Sequence, residues 1–507
     1  MTAPVIVVLG TSSSVGKSLL VTALCRIYAR RGCRVVPFKA QNMSNNAAVC
    51  LDGAEIGRAQ AVQAAAAGIE PTADINPVLL KPEADARSQV VLMGHALQTD
   101  SAQAYYRHRD QIWSSVTRSL DRLRRQYELV IVEGAGSPVE LNLKDRDIVN
   151  MAVARYAQAP VLLVGDIDRG GIFAQLLGTL WLLEPEEQDL VRGFVINKFR
   201  GDLALFADGV QILEERGGVP VLGVIPYLRD LGLPEEDAVV LDEPSLHRLR
   251  HARHAGIDIA VIKLPRISNF DDFDPLQAES DVGVRYISTR DDLGRPDALI
   301  IPGTKSTIAD LDWLRQQGLA QSIRNLAAHG TAVVGICGGY QMLGRTIRDP
   351  EHVEARVDEV PGLALLPTET IFESQKETHQ VTARITGHAG WLSRVAGQQL
   401  AGYEIHMGRT GGGESWLQIT ERGEAPVHVP DGAVSPDART WGCYLHGLFA
   451  NESFRRAWLS SLGWAPRPPA RKPGADVESA FDHLADEVSA ALNMDLLDGV
   501  IREQTLQ

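Results

Sequence analysis

Thr331-Ala332-Val333-Val334-Gly335-Ile336-Cys337-Gly338-Gly339-Tyr340-Gln341-Met342-Leu343 decides the fold of the second half of the chain. Its first six residues are an apolar run of the kind that forms a buried parallel strand. A helix-compatible segment starts directly after Cys337, so strand and helix meet in one sharp turn at that residue. Glycines on both sides relieve such a turn and expose the elbow side chain at the carboxyl edge of a sheet. A helix N-terminus carries partial positive charge, which favours the thiolate, the nucleophilic form of cysteine. An inert buried thiol is the ordinary alternative for a lone cysteine. The Gly-flanked elbow favours the nucleophile, and the base it needs is not nearby in sequence.

The chain has 507 residues, too many for one core, and its 45% apolar and 22% charged content is that of an ordinary globular protein. A formal net charge of −14 and a pI near 5.4 argue against a nucleic-acid or anionic-membrane surface. The five cysteines (25, 33, 50, 337 and 443) are scattered and contain no CxxC pair, a pattern of reducing compartments rather than of disulfides or zinc. No apolar stretch reaches the length of a membrane span, and the N-terminus lacks a charged leader region; the expected location is the cytoplasm.

Residues 4–10 form a second buried-strand run, followed by Gly10-Thr11-Ser12-Ser13-Ser14-Val15-Gly16-Lys17-Ser18 and a helical segment over 19–31. Strand, Gly/Ser loop, Lys-Ser and helix are the plan of an ATP-phosphate cradle. Backbone N–H groups and the helix N-terminus hold the phosphates, Lys17 reaches the outer ones, and Ser18 ligates Mg2+. Five residues separate Gly10 from Gly16 where the strict motif has four, so Thr11 stands where that motif has glycine. The strand at 33–38 ends in Lys39-Ala40-Gln41-Asn42-Met43-Ser44-Asn45-Asn46, beside this loop in a doubly wound sheet. Lys39 is a candidate second phosphate contact, or a solvated loop lysine. Glu55 opens an Ala/Gln-rich helix and is a candidate Mg2+ ligand, or a carboxylate favouring the helix dipole. The strand 129–132 delivers Glu133 to its carboxyl end, a position suited to holding magnesium. Asn197 and Pro226 end two further strands and can frame a purine, although both are also common turn residues.

Composition shifts over 229–256, and a second α/β pattern starts at Ile257. The expected division is an ATP-binding unit over 1–232, a linker over 233–255, a second unit over 256–455 and a helical tail over 456–507. The loop Pro265-Arg266-Ile267-Ser268-Asn269-Phe270-Asp271-Asp272-Phe273-Asp274 is unusually rich for a connector, as functional loops are. Pro302-Gly303-Thr304-Lys305-Ser306-Thr307 follows a strand and is placed to offer oxyanion-hole N–H groups to Cys337. His446, at the end of a short apolar strand, is the preferred base for Cys337, and His406 is its rival.

The Gly-x-Cys-x-Gly elbow and the distant histidine resemble those of class I glutamine amidotransferases. That resemblance implies Cys337 as nucleophile, Gly303 and Gly338 as oxyanion donors, Gln341 in the glutamine site and His446 as base. Most members follow the histidine with Pro-Glu, whose Glu orients the imidazole; here Gly447-Leu448 follow, leaving a dyad or an orienting group not evident in the sequence. The first half resembles the dethiobiotin-synthetase fold that the cobalamin-pathway branch of these amidotransferases fuses to its amidase domain. KAQNMSNNA (39–47), EIGRAQ (55–60), GDIDRGG (165–171), KLPRISNFDDFDP (263–275) and GYEIHMG (402–408) match the corrin amidase of that branch that acts on propionates. The resemblance implies a cytoplasmic enzyme using ATP, Mg2+ and glutamine to amidate the b, d, e and g propionates of adenosylcobyrinate a,c-diamide, with Asp147 near the acceptor carboxylate. It implies no nucleic-acid or membrane partner and leaves the oligomeric state open, a homodimer included. The alternatives are the sister amidase acting on the a and c acetates, and a ParA-like nucleotide switch with an inactive amidotransferase domain.

Overall fold

The computed structural model describes residues 2–84, 87–101, 109–228, 231–234, 256–465 and 477–505. The expected linker, 233–255, lies outside the described residues apart from 233 and 234.

Two parallel sheets organise the chain. The first contains β1 (Val5–Gly10), β2 (Val35–Phe38), β3 (Leu129–Glu133), β4 (Val161–Asp166), β5 (Val191–Phe199) and β6 (Val221–Pro226) in the order β6-β5-β4-β1-β3-β2. Every residue of β1, β2, β3 and β4 is buried, which is why these strands read as continuous apolar runs instead of alternating ones. Helices α1 (Lys17–Arg30) and α2 (Arg58–Ala66) follow the phosphate loop and the EIG segment. Glu55 does not open the helix as expected. Glu55–Gly57 is a short strand paired antiparallel with Ala47–Val49, and α2 starts three residues later.

The second sheet contains β7 (Ile257–Ile262), β8 (Val282–Ile287), β9 (Ala298–Ile301), β10 (Ala332–Ile336), β11 (Ala433–Val434) and β12 (Thr440–Cys443), ordered β8-β7-β9-β10-β12-β11. Its strands are parallel except for β11, which pairs antiparallel with β12. The elbow helix α3 (Gly338–Leu343) follows β10. Between α3 and β11 the chain adds a largely antiparallel layer built on the long strands Glu369–Ile385 and Gln399–Gly411.

The expected tail, 456–507, divides in the structure. Helix α4 (Glu452–Ser461) packs into the second core through Phe454, Trp458 and Leu459. Helices α5 (Val477–Ala491) and α6 (Met494–Thr505) return to the first sheet, where Phe481, Leu484 and Val488 join a core with Leu20, Val21 and Leu24 of α1. Among the described residues no helix is long and apolar enough to cross a membrane.

Candidate active sites and the contact between them

Four adjacent strands of the second sheet, β7, β9, β10 and β12, end on one edge, and the residues just beyond them meet there. Past β10, Cys337 takes φ +51° and ψ −110°, a conformation costly for a side-chain-bearing residue and associated with functional elbows. The turn tolerates no bulk: a Cβ on Gly335 would lie 2.6 Å from the Gly339 carbonyl oxygen, and one on Gly339 would lie 1.9 Å from that of Ile301. Past β12, His446 is buried, and its Nδ1 lies 2.6 Å from Asp272 Oδ2. Asp272 comes from the loop after β7, and its Oδ1 also accepts the Gly447 N–H at 2.8 Å. Past β9, a Cβ on Gly303 would lie 3.1 Å from His446 Cε1, and one on Gly338 would lie 2.7 Å from Thr304 Cγ2. Gly303, Gly338, Cys337 and His446 are therefore brought together.

Burial disfavours a charged imidazole at His446, but the carboxylate of Asp272 and the hydrogen-bonded Cys337 outweigh it and raise the His446 pKa to about 10. The imidazole is thus charged at neutral pH and hydrogen-bonded to Cys337. Asp272 supplies the orienting carboxylate that the residues after His446 lack, from 174 positions away. Sequence reading singled out the loop 265–274 as functional without identifying this acid. The rival His406 lines the same cavity as Cys337 but is held by other groups, stacked on Tyr444 at 3.8 Å between ring centroids, with Glu404 at 3.4 Å and the Gly408 carbonyl at 2.8 Å. Cys337 and His446 open into a cavity of about 730 Å³ also lined by Gln341, Thr307, Glu83 and Lys376. The Gln341 side chain is fixed there, accepting from Thr307 and donating to the Tyr444 hydroxyl.

The first sheet gathers the other set. Gly16, at φ +96°, caps α1, and a Cβ there would lie 2.1 Å from Asn197 Nδ2. Asn197 donates to the Val15 carbonyl at 2.8 Å and so braces the loop, while Thr11 donates to Gln175. Lys17 Nζ spans the loop to the Ser12 and Gly136 carbonyls at 3.0 and 3.2 Å. Glu133 is fully buried and accepts from Lys39 at 2.8 Å, Ser18 at 2.9 Å and Gln63 at 2.5 Å. Burial opposes its charge, yet Lys39, Gln63 and Lys17 hold its pKa below the usual carboxylate range.

A loop that turns on Gly16, a helix N-terminus, two lysines, a hydroxyl and one carboxylate fit a nucleoside triphosphate with a divalent cation. No group of three or more His, Cys, Asp or Glu side chains suited to a metal occurs among the described residues. A magnesium ion that takes most of its ligands from phosphates and water needs none. Glu55 is not part of this group. Both its oxygens are taken by ammonium groups, Lys81 at 2.5 Å and Lys376 of the second half, which hold its pKa near 2 against the penalty of burial. That makes Glu55 an ion-pair partner between the halves rather than a companion of Ser18 and Glu133. Asp147 accepts the N–H groups of Val149, Asn150 and Ala152 at 2.9 to 3.0 Å, organising the turn before the helix at 151–157. Pro226 ends β6, paired with Phe199 of β5.

The two sets are joined by the amide-rich segments of the first half. Asn269, in the loop that carries Asp272, donates its N–H to Asn46 Oδ1 at 2.7 Å and its side-chain amide to the Tyr403 hydroxyl at 2.7 Å. Lys305 pairs with Glu83 at 2.8 Å, and Arg58 of α2 is bonded to Asp271.

Known families divide the chain in the same way. The CobB/CobQ-like glutamine amidotransferase domain matches residues 258–454, and the CobQ/CobB/MinD/ParA nucleotide binding domain matches residues 6–239. A cobyric acid synthase from Chloroflexus aurantiacus is 57% identical over 505 residues, spanning 99% of this chain and 100% of its own. One from Roseiflexus castenholzii is 57% identical over 495 residues, 97% of this chain and 98% of its own. One from Moorella thermoacetica is 50% identical over 507 residues, 98% of this chain and 97% of its own. With such similarity maintained from end to end and both halves matched, the chain belongs to the cobyric acid synthase family, a nucleotide-binding domain and a glutamine amidotransferase domain in one polypeptide.

Proposed function

We propose that the protein uses glutamine and ATP to amidate the b, d, e and g propionate carboxylates of adenosylcobyrinate a,c-diamide, yielding adenosylcobyric acid. The observation that carries this is the joining of a Cys337–His446–Asp272 site to a phosphate loop on one chain, in a family named for that product. The Cys337 thiolate attacks the side-chain amide carbon of glutamine, and Gly303 and Gly338 present N–H groups to the oxyanion. As the C–N bond breaks, His446 gives its proton to the leaving nitrogen and ammonia departs. Water then cleaves the thioester and releases glutamate.

Ammonia is trapped in the first domain. A carboxylate is a poor electrophile until one of its oxygens becomes a leaving group, and ATP with Mg2+ supplies that by phosphoryl transfer to the propionate. Lys17 and Lys39 stabilise the transferring charge, Ser18 and Glu133 would hold a magnesium ion that would neutralise charge on the phosphates, and Asn197 braces the loop. Ammonia displaces phosphate from the acyl phosphate to give the amide. Asp147, bound by three backbone N–H groups, positions the loop facing the acceptor. The domains divide this work near residues 232 and 256.

The test gives wild type and Cys337→Ala the corrin diamide and ATP-Mg2+ with either glutamine or ammonium, and counts amidations by mass spectrometry. The mutant is expected to fail with glutamine and to match wild type with ammonium. Amidation of cobyrinate acetates in place of the diamide would transfer the assignment to the sister enzyme, and no amidation of either corrin would end it.

A further inference from the structure

Helix α2 touches both sites. Its first residue, Arg58, donates through Nε to Asp271 Oδ2 at 2.6 Å and through Nη2 to the same oxygen. Asp271 is buried, and its other oxygen has no hydrogen-bond partner, so Arg58 is what compensates that carboxylate. Asp271 and Asp272 are consecutive in one short helical turn, Phe270–Phe273, and Asp272 holds His446. The Arg58 guanidinium also lies over the Tyr403 ring at 5.8 Å, and that ring stacks on His446 at 5.2 Å and 15°. Arg58 therefore braces two of the surfaces that fix the imidazole.

Five residues along, about 7.5 Å of helix rise, Gln63 of α2 grips Glu133 at 2.5 Å, and Glu133 binds Ser18 and Lys39. Gln63 and Arg58 belong to one nine-residue helix, which gives a direct mechanical route from Glu133 to the Asp271–Asp272 turn. Hydrolysing glutamine without an acceptor wastes ammonia, and a link of this kind ties hydrolysis to the state of the first domain.

We propose that Arg58 is a positioning residue that couples the sites: it sets the Asp271–Asp272 turn, and hence His446, according to what Glu133 binds at the far end of α2. The proposal rests on the amidation reaction above.

The test measures glutamine hydrolysis by the full-length protein with and without ATP-Mg2+ and the corrin diamide, and counts amidations in the same samples. Filling the first domain is expected to raise wild-type kcat at least about fivefold, with the KM for glutamine nearly constant. Arg58→Gln should erase that response, and Arg58→Lys, which keeps the charge but loses the planar fork, should recover part of it. The double variant Arg58→Gln/Asp271→Asn removes the uncompensated carboxylate, so it separates coupling from instability; it should melt near wild type and still lack the response. A response of wild-type size in either Gln variant, or none in wild type, overturns the coupling. A wild type that amidates no corrin overturns the reaction itself and the coupling with it.

Discussion

At the scale of single residues, the distinctive feature is a histidine whose orienting acid comes from another strand end. Asp272 is buried against His446 and shares its other oxygen with the Gly447 N–H, so it fixes both the ring and the chain that carries it. Asp272→Asn is expected to lower the kcat of glutamine hydrolysis by about 10²-fold, the low end for a general acid–base group. It should also move the alkaline limb of the pH profile. In wild type the carboxylate keeps His446 protonated up to about 10, whereas burial alone would lower its pKa from 6.5. With asparagine the limb falls to lower pH, while ammonium-dependent amidation is unchanged. Stability follows the same sign. A pKa raised on folding stabilises fully below about 6.5 and ceases to do so as pH rises through about 10, so the mutant loses this contribution at neutral pH. Cys337 and His446 were legible in the sequence because elbow and strand-end patterns are local. Asp272 was not, since no spacing rule links residues 174 positions apart.

At the scale of elements, the parallel strands were legible because burial on both faces writes an uninterrupted apolar run. The antiparallel layer was largely hidden. Glu369–Ile385 is half exposed along much of its length, and ETIFESQKETHQVTARI carries no such run. Glu55 misled for a related reason: first-turn carboxylates are common on helices, and a three-residue strand before α2 leaves no periodic trace. The elbow itself is held by backbone contacts that cannot yield. A Cβ on Gly339 would lie 1.9 Å from the Ile301 oxygen and 2.6 Å from its carbon, both in β9. Gly339→Ala is therefore expected to push α3 off the sheet and destabilise the second domain by about 1–3 kcal/mol or more. Denaturant unfolding should register that loss, and glutamine hydrolysis should fall with it while ammonium still supports amidation.

At the scale of the whole molecule, β1 and the last two described helices belong to the same domain. The sequence marks a helical tail over 456–507, and only the fold identifies the surface its last helices cover as α1 and β6. A Cβ on Gly223 of β6 would lie 2.2 Å from the Ala491 carbonyl oxygen, so strand and helix end touch through backbone. Charge lines the seam as well, with Arg26 paired to Glu478 and Asp482, and Arg30 to Asp486. These two contributions differ in size. Arg30 and Asp486 are both largely exposed, and such a pair is worth at most about 1 kcal/mol in water. Leu484 is fully buried against α1, and its truncation removes packing that water cannot replace. Leu484→Ala is expected to cost about 2–5 kcal/mol and Arg30→Ala under about 1 kcal/mol, read from denaturant midpoints of the full-length protein. Because α1 begins at Lys17, saturating ATP-Mg2+ should win back part of the Leu484→Ala loss by binding only the folded domain. A midpoint in that variant that does not respond to the nucleotide would mean that α5 supports the domain without supporting its phosphate loop.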